Sequence, residues 1–399
     1  MRAVVVGAGP AGMRCAELLV RQGAAVTLIG SEPGPPYNRV ALSQYLAGDI
    51  AAADLVTHDA ARLKALGMIH LAGTRVMSID RDAACIATDA GAMIPYDRLV
   101  LATGAQAVRL GLPGSALPGV VLYRTLDDVR AMLNAATVGG RAVIIGGGLL
   151  GLEAAAGLAK RGMGVTVVHA VGRLMERQLD DGAASLLARH FAGLGVTLEL
   201  AASTTAVVGT DRATGVALAD GRVLATNLVV MAVGIRPETA LARAAGLTVG
   251  RGIVVDEAMR TSDPAIHAVG ECAEHDGICC GLVAPALAQA EVAAAIIAGQ
   301  DARYAPRADA TALKVGGAAV WSGGDITAPG ADSIVYDDAE NGDYRRFLLR
   351  DGALVGAMLY GETTDAAWYQ GLITGGGRLA FPRAMLAFGP RHLPLEAAE

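Results

Sequence analysis

The sequence predicts an α/β fold in which two parallel-sheet modules are followed by a C-terminal α+β domain. Three observations predict it. A strand, a glycine-rich turn, a helix and a second strand follow one another at the N-terminus, and the same pattern returns from Arg141. The last stretch instead carries short apolar runs separated by the turn signals Asn341-Gly342 and Asp351-Gly352.

Length and composition fit this division. A chain of 399 residues exceeds one comfortable core, so two or three domains are expected. Hydrophobic residues at 53% against 18% charged exclude a disordered chain. The 52 glycines suit close helix–sheet packing and tight turns. A net charge of −6 without a basic block argues against nucleic acid or an anionic membrane surface as partner. The apolar run from Ala142 to Ala159 approaches the length of a membrane span, but Glu153 and a glycine cluster interrupt it. With an apolar strand at the very start and no signal-peptide pattern, the expected location is cytoplasmic.

In the first module, Ala3 to Val6 is a continuous apolar run of the kind buried on both faces of a parallel sheet. Gly7, Gly9 and Gly12 follow in G-x-G-x-x-G spacing. Met13, Ala16, Leu19 and Val20 mark a helical stripe, and Val26 to Ile29 is the next strand. This is a complete dinucleotide-binding βαβ unit. The first glycine permits the turn, the second admits a pyrophosphate, and the third lets helix and strand touch. The helix N-terminus offers free N–H groups and the positive dipole end to phosphates. Glu32, 20 residues beyond Gly12, suits the carboxylate that binds the adenosine ribose; the competing reading is a solvated loop carboxylate.

The second module repeats the spacing with Gly146, Gly148 and Gly151, and its second strand is Val165 to Val168. His169 stands at the strand end, where a carboxylate would favour the free 2′-hydroxyl of NADH. Arg173 and Arg177 follow nearby, so the choice between NADH and NADPH stays open. Glu153, at the start of the helix, either complements the helix dipole or faces the nicotinamide.

Cys15, Cys85, Cys272, Cys279 and Cys280 show neither C-x-x-C nor C-x-x-x-x-C spacing. A dithiol centre, a zinc site and an iron–sulfur cluster are therefore not expected, and no metal is assigned. In the final region, Leu313-Lys314-Val315, Ile334-Val335-Tyr336, Phe347-Leu348-Leu349 and Leu354-Val355-Gly356 read as strands. A helix follows near Ala366–Leu372, with Trp321 and Trp368 as core.

Two such glycine turns in one chain resemble the two-dinucleotide flavoprotein superfamily, whose first module takes FAD and whose second takes NAD(P)H. Leu101-Ala102-Thr103-Gly104 matches the superfamily's exit from the FAD module. Ala232-Val233-Gly234, followed by Arg236-Pro237, matches the exit from the NAD(P) module. Ala268-Val269-Gly270-Glu271 resembles the second FAD motif, with Glu271 in place of the usual Asp on the ribitol chain. The helix opened by Leu282-Val283-Ala284-Pro285 would point its N-terminus at the flavin's pyrimidine end, which places Ala284 among the FAD residues.

Pro36-Tyr37-Asn38-Arg39-Val40-Ala41-Leu42-Ser43 is similar to a segment of ferredoxin-reductase-like proteins. Arg39 is expected beside the flavin or the pyrophosphate, or else in a loop salt bridge; Tyr37 is expected to pack. The run from Leu174 to Asp180 resembles the reductase module of nitrite reductase large subunits. Those large subunits continue into cluster and sirohaem domains that these 399 residues do not contain, so nitrite reduction by this chain alone is not expected.

The resemblance implies two Rossmann-like dinucleotide-binding domains. FAD is expected on residues 1–109 and 236–305, NADH or NADPH on 110–235, and a cap or interface on 306–399. It implies electron transfer from NAD(P)H through FAD to an iron–sulfur acceptor protein or a nitrate/nitrite reductase subunit, by a monomer or homodimer. The cysteine pair of disulfide-reducing relatives is absent, as is the single cysteine that oxygen- and peroxide-reducing relatives carry near Leu42–Ser43. The alternatives are a redox sensor of apoptosis-factor type and a simple NAD(P)H oxidase.

Overall fold

The computed structural model describes residues 1–306 and 310–393, which form two compact units. The first comprises Met1–Tyr45, Asp49–Ala107 and Gly234–Pro306. The second comprises Leu46–Gly48, Val108–Val233 and Arg307–Glu399. The chain thus leaves the first unit, builds a module of the second, and returns.

At the heart of the first unit is a five-stranded parallel sheet. Arg2–Val6 lies at its centre, with Ala25–Gly30 and then Ile69–Ala72 on one side, and Arg98–Leu101 and then Ile266–Ala268 on the other. The central strands are apolar on both faces because helices cover them. The helix Pro10–Arg21 packs on this sheet with Met13, Ala16 and Leu19 buried, while Val20 is only half-buried. Glu17 joins the buried face instead, because Nε2 of His58 meets its carboxylate at 2.9 Å.

The second unit has a parallel sheet of the same kind. Arg141–Ile145 is central, flanked by Gly164–Val168 and Thr197–Glu199, and on the other side by Leu228–Met231 and Val120–Leu122. The apolar run that begins at Ala142 is the rest of this strand, a turn, and the helix Leu149–Lys160. No helix among the described residues is long and apolar enough to cross a membrane. Leu46 packs against Gly157 of that helix, and Arg161 donates from Nε to the Leu46 carbonyl at 2.9 Å.

The C-terminal part of the second unit is an antiparallel sheet of five strands, where the sequence shows four apolar runs. The additional strand is Ala318–Gly324, which pairs with Ala310–Val315 and Ala353–Tyr360. Its composition, AAVWSGG, has little β-branching, so neighbours on both edges hold it in place. Asp351 and Gly352 both adopt positive φ in the hairpin before Ala353. The helix Ala366–Gly375 packs Tyr369 into a core with Trp321, Phe347 and Leu386; Trp368 lies partly buried at its edge. Residues 307–309 and 394–399 of the expected C-terminal domain lie outside the described residues.

Candidate functional site

Both glycine turns are built alike, and the structure separates what each glycine is for. A Cβ on Gly7 would run into the Ala102 carbonyl, and one on Gly146 into the Ala232 carbonyl. A Cβ on Gly12 would strike the Gly7 carbonyl, and one on Gly151 the Gly146 carbonyl. These four positions are closed by the protein itself. Gly9 and Gly148 are different: a Cβ there meets nothing within 4 Å.

Packing therefore does not explain the second glycine of either turn. A ligand that must approach the backbone does. Gly9 and Gly148 are also the N-caps of their helices, each without a side-chain cap, so the amides of both first turns are left for an anion. The residues present thus fit a pyrophosphate at each turn.

Around the first turn, both carboxylate oxygens of Glu32 are engaged. The Tyr37 hydroxyl donates to one at 2.7 Å, and the Arg39 guanidinium to the other at 2.5 Å. Arg39 also lies over the Tyr37 ring, 5.1 Å from its centroid. Burial pulls the Arg39 pKa down, but Tyr37, Glu32 and Glu271 outweigh it and leave it raised. Arg39 is therefore a held cation with carboxylates from two motifs in its field, and its bridge to Glu32 is the loop salt bridge that stood as the alternative in the sequence. Tyr37, expected only to pack, is a hydrogen-bond donor to Glu32.

Glu271 lies in a short turn, Gly270–Cys272, tied down from below. The Gly270 amide donates to Oε1 of the buried Gln289 at 2.8 Å, and Gly270 adopts φ +81° where a Cβ would press on Ala11. Ala284 sits exposed in the first turn of the helix Val283–Ile297, whose N-cap Leu282 provides no side-chain cap. The Thr103 hydroxyl donates to the Glu238 carbonyl at 2.7 Å, and the Glu238 amide to the Gly104 carbonyl at 2.8 Å. Thr103 and Gly104 thus meet the Ile235–Pro237 strand, which pairs with Ala105–Ala107. Gly234, grouped by sequence with the NAD(P) residues, falls in the first unit beside this strand pair.

His70 was missed by the sequence reading. Its Nε2 is buried without a hydrogen-bond partner and abuts the space in front of Gly30, next to Ala8. Burial lowers its pKa, so it stands as a neutral imidazole beside the first turn. Nothing in the pattern IHLA marks it, since only sheet pairing brings it there.

Around the second turn, His169 follows the strand Gly164–Val168. Its Nδ1 accepts from the Gly147 amide at 3.1 Å, and its Nε2 lies 3.1 Å from the Glu176 carboxylate. The Met175 amide donates to the Gly147 carbonyl at 3.0 Å, so the loop after the strand folds back onto the glycine turn. Arg173 is committed to Asp181 at 3.1 Å and to the Glu176 carbonyl at 3.4 Å, while Arg177 is exposed. Glu153 lies in the helix Leu149–Lys160, half-buried, two residues past Gly151. All five cysteines are free; Cys15 is fully buried and its thiol is pushed up to about 12 by burial.

The model of a family described as "Pyridine nucleotide-disulphide oxidoreductase" matches residues 1–296, and one described as "Rubredoxin NAD+ reductase C-terminal domain" matches residues 310–376. The "Assimilatory nitrate reductase electron transfer subunit" of Bacillus subtilis (strain 168) is 39% identical over 91% of this chain and 48% of its own length. The chain spans about half the length of the nitrite- and nitrate-reductase relatives it matches. The "Chlorobenzene dioxygenase, ferredoxin reductase component" of Cupriavidus sp. (strain PS12) is 34% identical, over 96% of this chain and 94% of that one. Among solved structures, the covalent putidaredoxin reductase–putidaredoxin complex contains a chain of TM-score 0.87 and 29% identity, covering 97% of this chain and 95% of that chain.

Proposed function

This chain belongs to the pyridine nucleotide-disulphide oxidoreductase family, and from that premise we propose that it relays electrons from NAD(P)H through FAD to a separate iron–sulfur protein or nitrate/nitrite reductase component. It is an NAD(P)H-dependent flavoprotein oxidoreductase. Bound at the two turns, the cofactors would supply the redox chemistry: a hydride from NAD(P)H and a flavin able to pass its two electrons on singly. The protein's residues bind, orient and set charge.

The duplicated glycine turn carries this reading. Gly9 and Gly148 keep two backbone surfaces open for two pyrophosphates. In the proposed assignment, residues 1–109 and 236–305 hold FAD: Glu32 takes the adenosine ribose, Arg39 the pyrophosphate, Glu271 the ribitol chain, and the helix at Ala284 the pyrimidine end. Residues 110–235 hold the nicotinamide dinucleotide, with Glu153 on its reactive side. The C-terminal sheet is the proposed face for the acceptor or for a second copy of this chain, and the proposed location is the cytoplasm.

Two facts favour an external acceptor. The relatives above are named as electron-transfer and ferredoxin-reductase components. Cys15, the only cysteine in the first-turn helix, is buried with a pKa near 12 and has no thiolate to offer. The test is anaerobic stopped-flow reduction by NADH or NADPH, followed by mixing with an oxidised [2Fe–2S] ferredoxin. Rapid flavin bleaching and rapid reoxidation by the ferredoxin are expected. Slow bleaching with a persistent charge-transfer band would instead assign a sensor, and brisk oxygen consumption without a carrier an oxidase.

A further inference from the structure

The two modules can be superposed by register. Val6 pairs with Ile29 just before Gly7, and Ile145 pairs with Val168 just before Gly146. Their turn amides are used alike: Gly7 N–H donates to Ile29 at 2.8 Å, and Gly146 N–H to Val168 at 2.9 Å. Gly30 and His169 are therefore the same position. In the first module the small Gly30 leaves room, and Glu32 follows two residues later. In the second, the imidazole fills that room; a Cβ on Gly147 would lie 2.8 Å from its Cγ.

The tautomer of His169 follows from its partners. The Gly147 amide can only donate, so Nδ1 is the acceptor and Nε2 carries the hydrogen. That hydrogen is donated to Glu176. The pair is a neutral imidazole holding a carboxylate, with a net negative charge at the strand end. The His169 side chain is 11% exposed and that of Glu176 32%, so the ring is covered while the carboxylate keeps open surface.

We infer that Glu176, positioned by His169, is the carboxylate that reads the adenosine ribose of the nicotinamide dinucleotide and selects NADH over NADPH. The inference rests on the proposed assignment of the second module to that dinucleotide. A carboxylate accepts from a free ribose 2′-hydroxyl and repels a 2′-phosphate. Arg173, a phosphate candidate from sequence alone, pairs with Asp181 only through a largely exposed bridge, so it is the cation that competes with Glu176 for this choice.

The test measures dissociation constants and anaerobic flavin-bleaching rates for NADH and NADPH on the FAD-loaded chain, with FAD content and thermal midpoint as folding controls. The wild type should prefer NADH by at least about tenfold. Glu176→Gln should bring the two nucleotides to within about threefold, and His169→Glu with Glu176→Gln should restore the preference by placing a carboxylate at the strand end itself. A wild type that prefers NADPH, or a ratio unmoved by Glu176→Gln, overturns the inference. So does a ratio that moves only in Arg177→Ala, which would give the choice to that cation. If neither nucleotide binds or bleaches the flavin, the module assignment falls and the inference with it; binding of both without discrimination sinks the inference alone.

Discussion

The two parallel-sheet modules share strand order, turn geometry and an inserted three-stranded antiparallel sheet, Val76–Asp80 to Met93–Pro95 in one and Thr204–Val208 to Val223–Ala225 in the other. Both inserts even carry an irregularity in the same strand pair, after Val76 and after Thr204. They differ at the strand end, where Gly30 and Glu32 stand in one and His169 with Glu176 in the other. They also differ in the outermost strand, which is Ile266–Ala268 in the first and Val120–Leu122 in the second. The turn geometry they share fits a pyrophosphate in each. The strand ends they do not share are where the proposed nucleotides would be told apart.

The strongest test of the shared part is Gly12→Ala against Gly151→Ala. Each Cβ meets a turn carbonyl oxygen that cannot move, so each should cost about 3 kcal/mol or more, read as loss of the denaturation midpoint. A mild effect at either site would break the equivalence of the turns.

A second test exploits the outermost strands. His267, on Ile266–Ala268, is buried with neither ring nitrogen hydrogen-bonded, and its pKa is held down to about 4 by burial, then by Arg260 and Arg98. Its register counterpart in the second module is Val121. The unfolded chain takes up this proton near the ordinary value of about 6.5 and the folded chain does not until about pH 4. Stability from this residue is intact above pH 6.5 and declines towards pH 4, by on the order of 3 kcal/mol in all. His267→Val should flatten the acid limb of a midpoint-against-pH curve over that window; an unchanged slope would remove His267 from the account.

Gly9→Val and Gly148→Val probe the open glycines. Both variants should fold, because a Cβ there meets nothing within 4 Å. Gly9→Val should weaken FAD retention by about 10–100-fold, whereas Gly148→Val should keep FAD and weaken nicotinamide nucleotide binding by a similar factor. Loss of FAD from both variants, measured by flavin absorbance after gel filtration, would contradict the division of labour. The smallest effect concerns a carboxylate of the second unit. The Tyr344 hydroxyl donates to Asp180 at 2.7 Å, and Arg346 reaches the same oxygen at 3.2 Å. Tyr344→Phe should destabilise that unit by about 1 kcal/mol in chemical denaturation.

The glycine turns were legible in the sequence because a tight strand–turn–helix junction constrains backbone at fixed spacing: Gly7, Gly12, Gly146 and Gly151 stand where a Cβ would strike a carbonyl. Arg39 and Glu271 stand out through their motifs, but their proximity leaves no mark in the sequence. Other residues left no local mark. Glu17 looks like a surface residue until His58, 41 positions later, folds onto it. His70 acquires its place through sheet pairing, and Glu176 through the fold-back of Met175 onto Gly147. The strand Ala318–Gly324 escaped notice because its alanines and glycines advertise neither strand nor helix. Local backbone chemistry leaves its mark in the residue types, and what distant segments supply does not.

The first unit is written in the chain as interrupted text. Its outermost strand, Ile266–Ala268, lies beyond the whole of the second parallel sheet, whose last strand ends at Met231. A ribosome therefore releases every strand of the second sheet before it has finished the first. During synthesis, Arg98–Leu101 waits as an open edge while more than a hundred further residues emerge. The N-terminal module is thus the last of the two to close, and that interval is when the nascent chain most needs protection from other unpaired edges.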